Sequence, residues 1–303
     1  MVKIANIYKN IFLVDVGHPE LPQTFGCYII VGDRIMIIDP GPTKFFNSLL
    51  SAFDELGLNK GDVAYIALTH IHPDHYGAAS KLVNHFPNAK ILVHPKGKPH
   101  IVNPQKLWDS AVEVLGEVVN YIGKPDPMDE NRIREVKDYE IISLSDDICV
   151  LALFTPGHAS HHISYFTDWG NIMFAGDSAG LCMDGYLAPT TPQPFELEAA
   201  LESIHKMLLL RPDHIAYIHF GMYGNGFRKL IEYYGQLNLW KNMITKLYKE
   251  GRRGEELLDM LLRVDHNARE FLDKIKENPF LSDGVHRSLH GFLSYLRKSG
   301  VID

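Results

Sequence analysis

One seven-residue segment, Thr69-His70-Ile71-His72-Pro73-Asp74-His75, constrains this chain more than any other feature. It closes an apolar run that begins at Val63 and is typical of a buried strand. Its first two histidines are two positions apart, so both side chains can lie on one face of that strand. The turn that follows can bring the aspartate and the third histidine to a second point nearby. The segment therefore predicts ligands for two adjacent metal ions.

Three more residues of the same kinds follow predicted strands farther along the chain. Their motifs are Thr155-Pro156-Gly157-His158, Phe174-Ala175-Gly176-Asp177 and Ile218-His219-Phe220-Gly221. Imidazole and carboxylate groups are ligands that zinc favours in proteins. A chance cluster of histidines would not account for four strand ends that each carry such groups.

These motifs, HxHxDH followed by Gly-His, Gly-Asp and a final His, resemble the signature of the metallo-β-lactamase superfamily. The resemblance covers about residues 8–221. It implies an α/β fold of the α+β type, a four-layer αββα sandwich with two divalent metal ions in a cleft at one edge of its two sheets. The implied ligands are His70, His72 and His158 for the first metal, Asp74, His75 and His219 for the second, and Asp177 as a bridge. Zinc is the expected metal, with iron or manganese as alternatives.

Two further residues match positions that support the ligands in that superfamily. Asp39, in Ile38-Asp39-Pro40-Gly41, matches an early Asp-x-Gly motif, and His162 lies four residues after His158. Ligating histidines need a partner for the second ring nitrogen, which is the expected role of Asp39. The alternative for Asp39 is a turn residue beside Pro40.

The resemblance also implies a mechanism. Two adjacent dications lower the pKa of a shared water from near 16 to roughly 7, so the expected nucleophile is a hydroxide that bridges the metals. Asp74 is expected to act in catalysis by orienting that nucleophile while it also binds metal.

The remaining histidines are expected to have ordinary roles. His94 and His161 lie near the motifs, where hydrogen bonding to neighbours is the simplest role for them. The others are predicted to be structural or at the surface: His18, His85, His100, His205, His214, His266, His286 and His290. Cys182, five residues past Asp177, is interpreted as a buried cysteine rather than a nucleophile.

The alternation of strands and helices predicts a layered α/β domain over residues 1–224. Residues 225–303 have a different character, with about three helices, and form a helical C-terminal region expected near the cleft. Residues 96–140 form a longer connecting segment that contains a predicted helix over Trp108 to Ile122. The proline-rich stretch Ala188 to Phe195 is either a loop over the site or a plain connection.

The composition limits the classes of partner that this chain is expected to bind. A formal net charge of −7 argues against nucleic acid, which requires clustered basic residues. No apolar run is long enough to span a bilayer, and three widely spaced cysteines suggest a reducing compartment. We therefore expect a cytoplasmic enzyme with a small-molecule substrate and no membrane partner. The oligomeric state stays open, with a homodimer as the alternative to a monomer.

Differences in motif residues and insertions among members of the superfamily indicate which reaction to expect. Redox relatives carry Glu in place of the second motif histidine, whereas His72 is intact and favours hydrolysis. The best-known β-lactam-cleaving relatives carry Cys where Asp177 stands, and RNA-processing relatives carry an insertion larger than residues 96–140. The expected activity is hydrolysis of a carbonyl ester, above all a thioester, as in glyoxalase II-like members with a helical C-terminal addition. The Arg/Lys pattern with which that enzyme grips glutathione cannot be placed in this chain.

Alternatives remain open. A lactonase or a phosphodiesterase of the same superfamily would use the same ligands. A binding or regulatory protein that retains metal with little turnover is the alternative from another class.

Overall fold

The computed structural model describes residues 2–17 and 21–303, so the interpretation of His18 lies outside the described residues. Fifteen strands are assigned within the described part of the chain. They are β1 Lys3–Tyr8, β2 Ile11–Asp15, β3 Gly26–Val31, β4 Ile35–Ile38, β5 Val63–Ala67, β6 Lys90–Val93, β7 Ile133–Glu135, β8 Glu140–Ser143, β9 Cys149–Phe154, β10 Ile163–Thr167, β11 Ile172–Phe174, β12 Leu181–Met183, β13 Tyr186–Ala188, β14 His214–Tyr217 and β15 Gly221–Gly224.

The helices lie between and after these strands. They are α1 Phe46–Leu56, α2 Pro73–Tyr76, α3 Ala79–Leu82, α4 Lys98–Val102, α5 Gln105–Leu115, α6 Leu197–Leu209, α7 Gly226–Lys249, α8 Gly254–Val264, α9 His266–Ile275 and α10 Gly284–Lys298.

Two large sheets form the middle of the molecule. The first has the order β1-β2-β3-β4-β5-β6-β7, antiparallel up to β4 and parallel from β4 onward. The second has the order β15-β14-β11-β10-β9-β8, in which only the β11–β14 pair is parallel. β12 and β13 form a separate hairpin.

Side chains from the two sheets pack against each other. The Tyr28 ring of β3 meets the Phe174 ring of β11 edge to face, with 5.2 Å between centroids, and Tyr28 donates a hydrogen bond to the Tyr217 carbonyl. A second apolar core lies between the first sheet and the helices, where Phe53 of α1 packs against Phe86. Buried aliphatic side chains on both faces of a strand require cover on both sides. The expected αββα sandwich is confirmed.

Glycines set several element ends. Gly57 ends α1 in the left-handed conformation, with φ of 65°, as its position after the apolar periodicity indicates. Gly116 ends α5 with a positive φ of 57°, so the helix predicted over Trp108 to Ile122 divides into α5 and the 3₁₀ segment Gly116–Tyr121. The sequence pattern from Gly77 to Phe86 is typical of one longer helix, but this segment forms only the four-residue α3.

The C-terminal region has four helices rather than about three. Trp240 of α7 and Phe271 of α9 belong to the same apolar core as the helices that cover the first sheet. The predicted boundary near residue 225 falls beside the start of α7 and stays a prediction. No helix among residues 2–17 and 21–303 is both long and apolar enough to cross a membrane.

The Asp265 carboxylate links α7 and α9 by hydrogen bonds. Its Oδ2 accepts hydrogen bonds from Trp240 Nε1 at 2.7 Å and Gln236 Nε2 at 2.9 Å, and its Oδ1 accepts from Ala268 N at 3.1 Å. The side chains of Asp265, Trp240 and Gln236 are all buried. One carboxylate therefore caps α9 and satisfies two buried donors of α7.

We predict that Asp265→Ala lowers the free energy of unfolding by about 3 kcal/mol, because it removes a cap and leaves two buried donors without acceptors. Urea unfolding monitored by circular dichroism measures the change. The control is Asp273→Ala, an exposed aspartate on α9, which should unfold like the wild type. Equal stability of the two variants would contradict the role given to Asp265.

Candidate metal centre

All seven predicted ligands follow the ends of strands at one edge of the two sheets. The Thr69–His75 segment follows β5, and Pro73 begins the short α2, which places Asp74 and His75 on its first turn. Proline is favoured at this first helical position because its missing N–H has no partner there. His158, Asp177 and His219 follow β9, β11 and β14.

Three imidazoles converge in a first group. His70 Nε2 lies 2.8 Å from His72 Nδ1, and His158 Nε2 lies 3.2 Å from the same atom. The three nitrogens are close enough to share one ion. Two nitrogens bound to a tetrahedral zinc are about 3.3 Å apart, so the observed spacings suit such a centre.

Asp74, His75 and His219 form a second group. Asp74 Oδ2 lies 3.4 Å from His219 Nε2 and 3.6 Å from His75 Nε2. Asp177 stands between the two groups. Its Oδ1 is 3.6 Å from His75 Nε2, and its Oδ2 is 3.5 Å from His158 Nε2. Each oxygen of this carboxylate therefore faces a different group.

Two atoms in this arrangement have no hydrogen-bond partner although they are buried. They are His75 Nε2 and Asp177 Oδ1. An unpaired buried polar group costs about 1–3 kcal/mol, so such atoms are rare without a ligand. A metal ion between these two atoms would satisfy both, and the residues therefore fit divalent ions.

In four of the histidines, the ring nitrogen that faces away from the site lies within hydrogen-bond distance of an oxygen atom. His158 Nδ1 donates to the Thr190 carbonyl at 2.8 Å, and His219 Nδ1 donates to the Thr24 carbonyl at 2.5 Å. His75 Nδ1 lies 2.8 Å from Asp39 Oδ2, and His70 Nδ1 lies 3.1 Å from Thr69 Oγ1. A proton held on Nδ1 leaves the Nε2 lone pair free to face a metal.

Asp39 is fully buried and organises this support. Besides its contact with His75, it accepts hydrogen bonds from the Thr69 backbone N–H at 2.7 Å and the Thr69 hydroxyl at 2.5 Å. Because that hydroxyl donates to Asp39, its oxygen can accept from His70. Asp39 also lies near enough to His70 and His75 to share an ion with them, but both of its oxygens already accept hydrogen bonds.

His162 contacts the site from behind Asp177. Its Nε2 accepts a hydrogen bond from the Asp177 backbone N–H at 3.1 Å, so its proton lies on Nδ1, 2.9 Å from Thr155 Oγ1. This contact fixes the start of the loop that carries Asp177, which agrees with the supporting role predicted for His162.

Charge is unevenly distributed across the two groups. Burial lowers the pKa of His70 and of His72 well below the ordinary value and also lowers that of His158, which favours neutral imidazoles in the first group. Burial alone would also lower the pKa of His75, but the carboxylates of Asp74, Asp177 and Asp39 raise it to about 10. This second half of the site therefore requires positive charge, which a dication supplies in place of a proton.

The two groups open into a cavity of about 290 Å³. Its walls come from α5, the proline-rich stretch, and the segment from Phe280 to Ser288. About half of the lining residues are apolar: Pro73, Leu107, Ala111, Val114, Leu115, Leu181, Pro192, Pro194, Phe280 and Leu281. Of the two interpretations of the proline-rich stretch, the loop over the site is confirmed.

Sequence reasoning missed these walls and the two carbonyls of Thr24 and Thr190, because a main-chain acceptor has no side-chain signature. His161, for which an ordinary hydrogen-bonded role was expected, lines the cavity, and its buried Nδ1 lacks a partner. His94 has the expected kind of contact, since its Nδ1 accepts from the Lys96 backbone N–H at 3.0 Å. Cys182 is buried, as predicted.

The chain is similar in sequence to known proteins over the region that carries the predicted ligands. The sequence model of the Metallo-beta-lactamase superfamily matches residues 27–219. The chain belongs to the metallo-β-lactamase superfamily. All seven predicted ligands lie within the matched residues.

Three relatives illustrate the range of similarity within the metallo-β-lactamase superfamily. The metallo-beta-lactamase fold-containing protein ST1585 of Sulfurisphaera tokodaii is 32% identical over 219 residues, which is 71% of this chain and 79% of that protein. The probable metallo-hydrolase YflN of Bacillus subtilis is 26% identical over 75% of this chain and 85% of its own length. A hydroxyacylglutathione hydrolase of Pectobacterium atrosepticum is 26% identical over 60% of this chain and 55% of its own.

The crystal structure of ST1585 superposes on this chain with a TM-score of 0.70 and 26% identity. The match covers 94% of this chain and 99% of ST1585, so it includes most of the C-terminal helices as well as the sandwich.

We predict that Asp177→Asn reduces bound metal from two ions per chain to one or fewer, because the bridging position then lacks the negative charge that offsets two cations. Elemental analysis after dialysis against zinc measures the content. Asp138→Asn, at a carboxylate that pairs with Lys206 instead, is the matched control. Two ions per chain in the Asp177 variant would show that the carboxylate does not bridge.

Proposed function

We propose that this chain is a metal-dependent hydrolase of carbonyl esters that prefers thioesters and uses two divalent ions, with zinc as the expected metal. Family membership and the similarity to a probable metallo-hydrolase support the reaction class. The observation that carries the proposal is the pair of unsatisfied buried atoms, His75 Nε2 and Asp177 Oδ1, between two convergent ligand groups.

The proposed assignment follows the two groups. His70, His72 and His158 would hold one ion, Asp74, His75 and His219 would hold the other, and Asp177 would bind both. When bound, the ions would acidify water to give a nucleophile near neutral pH and would polarise the substrate carbonyl.

Residues of the chain would position the reactants. Asp74 lines the cavity and retains slight exposure, so its carboxylate can accept a hydrogen bond from the attacking water and set the direction of attack. Thr190 and Thr24 hold the imidazoles of His158 and His219 at fixed angles through their carbonyls. The apolar wall excludes other water from the reacting carbonyl.

The titratable groups around the cavity favour a leaving group that needs no proton. Burial lowers the pKa of His161 to about 3, so its imidazole is neutral near pH 7 and cannot act as a general acid. Arg287 also lines the cavity, but a guanidinium does not release its proton. A thiolate departs without protonation far more readily than an alkoxide, because thiol pKa values lie near 8.5. This supports a thioester over an oxygen ester.

The similarity to a hydroxyacylglutathione hydrolase points the same way, since its named substrate is a thioester. The apolar wall suits the hydrocarbon part of an acyl group. We therefore propose a small acyl thioester as the substrate, with no nucleic-acid partner. One observation favours a second candidate, a phosphodiester: Arg287 could pair with a phosphate oxygen.

The test is a panel of thioesters, lactones and phosphodiesters with the zinc, manganese and iron forms of the protein. We expect thioesters to give the highest kcat/KM and His72→Ala to lower it by at least about 100-fold, because a ligand is lost. His205→Ala, at an exposed histidine on α6, should retain wild-type turnover. A metal-loaded wild type that is inert on every ester would support the binding class instead.

The cavity wall generates a separate prediction about chain length. Ala111 of α5 faces the cavity, so Ala111→Leu should reduce the space for the acyl group and lower kcat/KM for an octanoyl thioester about tenfold more than for an acetyl thioester. The matched control is Val112→Leu, because the neighbouring Val112 is 42% exposed and lies outside the cavity wall. Equal effects on both substrates would place the acyl group elsewhere.

A further inference from the structure

The C-terminal helical region contacts the metal centre at two separate places, and each contact ends at a different proposed ligand. The first runs from α10 through the proline-rich stretch to His158. The second runs from the segment before α10 through Thr24 to His219. These two histidines belong to different ligand groups.

The first contact is centred on Ser288, which is 1% exposed. Its hydroxyl accepts a hydrogen bond from the Thr191 N–H at 3.2 Å and lies 2.7 Å from the Pro189 carbonyl, to which it can donate. The Thr191 hydroxyl donates in return to the Ser288 carbonyl at 3.0 Å. Both neighbours of Thr190 are therefore tied to α10, and the Thr190 carbonyl is the acceptor for His158.

Backbone contact reinforces this arrangement. A Cβ atom added at Gly291 of α10 would lie 1.6 Å from the Thr191 carbonyl oxygen. The helix and the proline-rich stretch are thus in direct main-chain contact at that point. Phe195 packs against Phe292 on the same side, with 5.0 Å between ring centroids. The stretch cannot move independently of α10 without losing these contacts.

The second contact is centred on Asn278. Its Nδ2 donates to Thr24 Oγ1 at 2.7 Å, while its Oδ1 accepts from the backbone N–H groups of Phe280 and Leu281. Thr24 is fully buried, and its carbonyl accepts the Nδ1 proton of His219.

Aromatic packing strengthens the same link. The Phe25 ring lies edge-on to both His219 and Phe280, at centroid distances of 5.7 and 4.7 Å. The segment before α10 therefore fixes both the acceptor and one flank of the His219 imidazole.

We propose that the C-terminal helical region positions one imidazole in each metal site, through Ser288 for His158 and Asn278 for His219. Ser288 and Asn278 are positioning residues, since each acts through a threonine carbonyl. The inference rests on the ligand assignment of the proposed function and goes beyond it. It assigns the region a role in metal affinity in addition to that of a cavity wall.

The test measures metal rather than turnover. Metal-free protein is titrated with zinc against a chromophoric chelator, without substrate, to resolve two binding steps. Ser288→Ala should weaken one step about tenfold and Asn278→Ala the other, since partners behind ligands contribute about this much to affinity. The double variant should weaken both steps. Absorption spectra of the cobalt-loaded variants should change in the same pattern.

Matched controls separate this role from a general effect on folding. Ser299→Ala removes a hydroxyl just after α10 that donates to the Leu296 carbonyl, and Asn238→Ala removes an amide on α7 that donates to the Tyr234 carbonyl. Both should bind zinc like the wild type.

Two further variants keep the test decisive if a first variant misfolds. Thr191→Val removes the hydroxyl that donates to the Ser288 carbonyl, and Thr24→Val removes the hydroxyl that accepts from Asn278 but keeps the carbonyl that holds His219. They should reproduce the effects of Ser288→Ala and Asn278→Ala respectively.

The outcomes are distinguishable. Wild-type affinity at both steps in the Ser288 and Asn278 variants, or equal weakening in the controls, overturns the positioning role. A wild type that binds no zinc overturns the ligand assignment together with this inference. A wild type that binds two zinc ions but cleaves no ester overturns only the proposed hydrolase activity.

Discussion

An imidazole can offer a lone pair at one nitrogen only when its proton is held at the other, and the metal centre depends on this constraint. Four of the five histidines that face the centre have such a partner: Asp39, Thr69 and the carbonyls of Thr24 and Thr190. The histidines themselves come from both sheets, since His70, His72 and His75 follow β5 of the first sheet, and His158 and His219 follow β9 and β14 of the second. The two sheets must therefore meet at one edge before the nitrogens can converge.

The same edge concentrates negative charge around His75. Asp39, Asp74 and Asp177 all lie within 3.6 Å of its ring nitrogens, in an environment with almost no exposure to water. Burying carboxylates is costly unless opposite charge is nearby. A bound dication would provide that charge and would satisfy the two orphaned atoms, so the electrostatics of the fold favour metal binding.

The cavity wall is built from several segments that are far apart in the sequence. The superfamily match ends at residue 219, so it includes α5 and the proline-rich stretch of the cavity wall but not the segment from Phe280 to Ser288. That segment belongs to the C-terminal helical region, most of which is covered by the match to ST1585. One part of the cavity wall thus comes from outside the matched region, and we propose that Ser288 and Asn278 link the helical region to the ligands.

The sequence by itself determined the ligand types, their strand-end positions and the fold class, because the spacing of His70 and His72 and the buried strand before them are local properties. It also indicated where α1 ends, since Gly57 needs no partner to adopt its conformation. Only the tertiary structure decided the short strands such as β7 and β15, which are defined by pairing with distant neighbours. It also decided the acceptors at Thr24 and Thr190, the cavity wall and the place of His161. These depend on contacts between residues up to 254 positions apart, as in Asn278 and Thr24, and no local pattern encodes such a contact.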